Sequence, residues 1–79
     1  MKAKVIHLNS KLGYYSATTD RNKVVFTLVE PAAIEVGDIL EGNVESLGVQ
    51  LVLNEHRNVQ IKVDIKELYS LAAPFRGHG

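Results

Sequence analysis

The 79-residue chain has no cysteine, no tryptophan and only two prolines. Without cysteine there is no disulfide framework, no thiol nucleophile and no thiolate metal site. No apolar run approaches the ~20 residues of a membrane-spanning helix. Met1-Lys2-Ala3-Lys4 leads into residues of mixed polarity, not into the apolar stretch of a signal peptide. The expected compartment is therefore the cytoplasm, with no membrane partner. Formal net charge is zero, which argues against tight polyanion binding driven by bulk charge alone.

What is present is the balance of an ordinary globular protein. Hydrophobic residues make up 46% of the chain and charged residues 23%. A chain this short buries only about 60% of its unfolded surface and has room for one core. The charges are unevenly spread. Residues 1–25 hold Lys2, Lys4, Lys11, Arg21 and Lys23 against Asp20 alone, a net +4. The remainder is −4, and five acids with no base lie between Glu30 and Glu45. Such asymmetry is a hint about partners.

Turn residues recur every few positions between runs rich in valine, isoleucine, threonine and tyrosine. That rhythm predicts an all-β fold, a small barrel or sandwich. Strands are expected over Ala3–Leu8, Gly13–Thr18, Lys23–Val29, Ile39–Ser46, Val49–Leu53 and Val59–Val63. Val24, Phe26 and Leu28 form the bulkier face of the third strand and point inward, as do Leu40 and Val44 of the fourth. Gly42 between them suits a bend. Pro31 ends the third strand, and Pro31-Ala32-Ala33-Ile34 has room for one helical turn. Leu47-Gly48 reads as a tight hairpin. Val25 and Val52 are expected to be exposed. Asp64, with Glu67 three residues on, reads as a helix start, and Ile65, Leu68, Tyr69 and Ala72 share a helical face. This short C-terminal helix would end at Pro74. The barrel domain is expected over residues 1–73, with 74–79 a flexible tail.

Nothing in the sequence calls for catalysis or a cofactor. His7, His56 and His78 are scattered, and none has a second ligand at metal-site spacing. Asp38 with Glu41, or Glu41 with Glu45, could form an acid–base pair, but Glu41 and Glu45, sharing a strand face with Asn43, read better as solvated edge charges. The informative region is the N-terminal sheet. Single-stranded nucleic acids are held by cations for phosphates and flat side chains for bases. Tyr14 offers a platform, His7 a weaker one, and Lys4, Lys11 and Lys23 supply charge. The plainer reading is that tyrosines suit strands and lysines protect sheet edges.

Val5-Ile6-His7-Leu8-Asn9-Ser10-Lys11-Leu12-Gly13-Tyr14-Tyr15-Ser16-Ala17 resembles the opening of cold-shock domains, V-K-W-F-N-x-x-K-G-F-G-F-I. Val24–Leu28 stands where that family has V-F-V-H-F, and Val36–Val44 resembles its later E-G-x-x-V-x-F-x-V strand. The resemblance covers about residues 3–53. It implies a small OB-type Greek-key barrel of five to six antiparallel strands, closed by the short C-terminal helix, that binds single-stranded RNA or DNA across strands one to three. The implied contact positions are Lys4, His7, Lys11, Tyr14, Ser16, Lys23, Val25 and Thr27. Several stacking aromatics of the family are replaced, by His7, Leu8, Ser16 and Val25, so such binding would be weak. Residues 37–53 and 59–68 also resemble the G-x-x-L-x-G-x-V pattern of Sm-type ring proteins, but those begin with a helix where Lys2–Thr18 reads as two strands. The alternative function is a protein-interaction or homodimeric module on the same barrel, using the acidic segment and the exposed valines.

Overall fold

The computed structural model describes residues 1–71. It contains six strands: β1 (Lys2–Asn9), β2 (Tyr14–Thr18), β3 (Asn22–Leu28), β4 (Ile39–Gly42), β5 (Gly48–Asn54) and β6 (Val59–Ser70). They close into an antiparallel barrel in the order β1-β2-β3-β6-β5-β4. Strands β1 to β3 form a meander, and the chain then returns so that β4 pairs with β1, which is Greek-key connectivity. The arrangement is consistent with an OB-like barrel.

The interior follows from alternation. Val5, Ala17, Val24, Phe26, Leu40, Val52, Ile61, Val63 and Ile65 point inward and are almost fully buried. Tyr15 stacks on Phe26 with ring centroids 5.5 Å apart, within the range that favours aromatic pairs. Two further core residues come from connections, not strands. Ile34 enters from the segment between β3 and β4, and Val44 from the loop between β4 and β5.

Each end of the barrel is also tied by a carboxylate. At one end Asp38 accepts hydrogen bonds from Asn54 Nδ2 (2.9 Å), Arg57 Nε (3.0 Å) and the Glu35 amide (3.0 Å). Asn54 Oδ1 in turn accepts from the amides of His56 and Arg57, fixing the β5–β6 turn. At the other end Glu45 accepts from Thr19 Oγ1 (2.7 Å), Asn22 Nδ2 and Arg21 (3.4 Å). This joins the β4–β5 loop to the β2–β3 turn.

Several sequence expectations need correction. The segment from Asp64 to Ser70 is strand, not helix, because β6 continues unbroken along β3 from Leu28↔Val63 to Asn22↔Ser70. Ladder bonds and the burial of Ile65 outweigh a helix-start pattern too short to be stable alone. Pro31–Ile34 makes no helical turn. Strand β4 stops at Gly42, and residues 43–47 form a loop instead of a tight hairpin at Leu47-Gly48. Val52 is not exposed but 1% accessible, in the core. The expected helix end at Ala72–Pro74 and the tail at 74–79 lie outside the described residues.

Candidate nucleic-acid interface

The register of β1, β2, β3 and β6 lays out the outward face row by row. Lys4 pairs with Thr18, Thr18 with Lys23, and Lys23 with Tyr69. In the next row His7 pairs with Ser16, Ser16 with Val25, and Val25 with Glu67. Beyond it stands Tyr14, paired with Asn9, and Thr27, paired with Asp64.

Strict alternation would put Lys4 and His7 on opposite faces, since they are three residues apart. A bulge resolves this. Val5 pairs with Ala17 and His7 with Ser16, leaving Ile6 as the extra residue. Val5 thus stays buried while His7 turns outward. A second irregularity, at Lys66 between the Val25↔Glu67 and Phe26↔Ile65 pairs, keeps Leu68 opposite Val24 and sends Tyr69 outward.

Lys4, His7 and Tyr14 are exposed, and Lys23, Val25 and Thr27 are half-buried on the same face. Lys11 lies in the β1–β2 turn, where Asn9 Oδ1 accepts from the amides of Lys11 and Leu12 at 3.1 Å. Ser16 is the exception. It is outward by register yet only 8% accessible, closed in by its neighbours on β1 and β3. It offers little to a ligand. Among the described residues, none of Lys4, Lys11 and Lys23 is held in an ion pair.

Sequence reasoning missed the contribution of β6. Tyr69, 49% accessible, joins Tyr14, 41% accessible, as a second exposed ring on this face. The signal was there in the alternation of Ile61, Val63 and Ile65, which continues past Asp64. The same strand also brings carboxylates. Asp64 pairs with Lys66 Nζ at 2.8 Å, and this hydrogen bond raises the lysine pKa above its usual value. Tyr69 donates its hydroxyl to Glu67, which raises the phenol pKa. Four lysines (Lys4, Lys11, Lys23 and Lys66) therefore stand against two carboxylates, and one of the four is already engaged.

The acids considered for catalysis are not brought together. Asp38 and Glu45 serve the two end clamps, and Glu41 meets the N-terminal amine at 2.9 Å. Burial pushes the Asp38 carboxyl up, but hydrogen bonds from Asn54, the Glu35 amide and Arg57 outweigh it and hold the pKa below its ordinary value. Glu45 is lowered mainly by the hydrogen bonds from Asn22 and Thr19. Among the described residues no group of three or more His, Asp or Glu side chains is placed to share a metal ion. No family model, curated protein or solved structure matches the chain.

Proposed function

We propose that this protein binds single-stranded RNA or DNA, without catalysis, through the outer face of β1, β2 and β3 as extended by β6. One observation carries the reading: a single solvent-facing surface holds Tyr14 and Tyr69 together with Lys4 and Lys23. Stacking on an aromatic ring is worth roughly 1–3 kcal/mol per base and tolerates any base. Two rings and a few lysines support weak binding with little sequence preference. The likeness of residues 3–53 to cold-shock domains adds to this reading, and the face corresponds to the one that family uses. Lys4, His7, Lys11, Tyr14 and Lys23 keep the roles proposed for them. Val25 and Thr27 become the floor between the rings, and Tyr69 and Lys66 are added.

Fluorescence anisotropy with a mixed-sequence oligonucleotide tests the proposal. Affinity should fall steeply between low and moderate salt, as phosphate contacts require. Tyr14→Ala and Tyr69→Ala should each weaken binding about 5- to 100-fold, and Lys11→Ala should flatten the salt dependence. Unchanged affinity in all three variants would remove this face from consideration.

A further inference from the structure

Strand β5 is built the wrong way round for a strand with one face in water. Its inward positions include Gln50 and Asn54, and its outward positions are Val49, Leu51 and Leu53. An antiparallel strand with one solvated face ordinarily alternates polar outward. Leu47, just before the strand, is 64% accessible, Val49 57% and Leu51 59%. Exposed Val29 lies on the far side of β6 from this stripe, its amide donating to the Lys62 carbonyl at 2.9 Å. Among the described residues nothing covers this apolar stripe.

We propose that the outer face of β5 and β6 is a contact surface for a second copy of this chain, packed face to face about a two-fold axis. The charge pattern beside the stripe favours this occupant. Lys62 stands directly opposite Leu51, and Asp64 directly opposite Val49, in neighbouring outward rows. A two-fold axis running across the strands midway between these rows superposes each row on the other in the partner. Leu51 then meets Val49 of the partner subunit, and Lys62 meets Asp64 of the partner subunit, each contact occurring twice. Among the described residues Lys62 has no ion-pair partner within the chain. Antiparallel sheets pack in this way with their strands nearly aligned, about 10 Å apart. A standard specific interface buries about 800 Å² per partner, and a permanent one more. This narrow stripe is suited to reversible association, with a dissociation constant on the order of 10–100 μM.

Sedimentation equilibrium of the full chain over ~5 μM to ~1 mM, bracketing that constant, tests the proposal. The mass should rise from 8.7 kDa toward twice that value. Leu51→Glu should abolish the rise. Lys62→Asp alone and Asp64→Lys alone should each weaken association at least 10-fold by facing like charges. The double reversal should restore it, because the opposite charges meet again with their signs exchanged. If Leu51→Glu fails to fold, the charge-reversal set still decides the matter. A chain that stays monomeric throughout would overturn the proposal. So would a dimer indifferent to these variants, a double reversal without recovery, or a monomer that binds a different protein through this face.

Discussion

At the residue scale, Glu45 and Gly42 carry more of the structure than their positions in a loop and at a strand end suggest. Glu45 satisfies donors on Thr19, Asn22 and Arg21 at once. Replacing it leaves Thr19 and Asn22 partly buried without their acceptor. Glu45→Ala is expected to cost about 1–3 kcal/mol in urea unfolding at neutral pH. The pH dependence has a definite sign. A carboxylate whose pKa is lowered by folding stabilises the fold above its unfolded pKa, and the effect is lost as pH falls through the folded value. The difference between wild type and Glu45→Ala should therefore shrink as pH drops below the ordinary glutamate value of 4.5. A gap that widened in acid would contradict the clamp. Gly42 has φ +150°, and a Cβ there would lie 3.2 Å from Val52 Cγ1 and 3.3 Å from the Leu51 carbonyl oxygen. Gly42→Ala combines an unfavourable backbone conformation with a tight contact. It is expected to destabilise by roughly 1–3 kcal/mol, measurable by the same titration.

At the element scale, β5 and β6 are the strands whose character comes from their neighbours. The inversion of β5 makes a direct prediction about adjacent residues. Val52→Ala empties core volume and should cost roughly 1–3 kcal/mol. Leu51→Ala, one residue away and facing out, should change monomer stability by no more than about 0.5 kcal/mol. Thermal unfolding of both variants at low concentration separates them, and equal losses would mean that the register is wrong. Strand β6 is long enough to have two regimes. Lys62 to Ile65 lie between β3 with Val29 on one side and β5 on the other, whereas Glu67 to Ser70 are paired only with β3. Amides paired on both sides open only with the barrel, so native-state hydrogen exchange should protect the first stretch more strongly than the second. Rapid exchange throughout 65–70 would argue against a continuous strand.

At the scale of the whole molecule, closure explains how so small a chain holds a core. A six-stranded barrel has few free edges to protect, and the two ends are filled by Ile34 and Val44 and tied by Asp38 and Glu45. This leaves the outer surface free to carry interactions. The proposed oligonucleotide face and the proposed dimer face adjoin along β6, where Asp64 and Lys66 form an ion pair. Asp64→Lys thus touches both, whereas Tyr14→Ala touches only the first. Tyr14→Ala should leave the sedimentation profile unchanged, and Leu51→Glu should retain oligonucleotide affinity within about twofold at low protein concentration. Loss of both properties in either variant would mean that the two surfaces are one.

The sequence by itself determined the all-β class, the positions of four of the five turns and the inward faces of β3 and β4. These are local matters: period-two patterning, glycine and proline placement, and side chains that suit strands. It also identified Lys4, His7, Lys11, Tyr14 and Lys23 as a cationic, aromatic set. Only the tertiary structure decided which way β5 faces, because alternation alone would turn Val49, Leu51 and Leu53 inward, whereas pairing with β4 and β6 puts Val52 in the core and those three outside. Only the tertiary structure made 64–70 a strand, since local helix signals and β pairing compete there and the neighbouring β3 supplies the ladder. The outward turn of His7 likewise depends on a bulge against β2 that no single-strand pattern specifies. Local chemistry chose the strands; pairing between segments distant in the chain chose the faces they present.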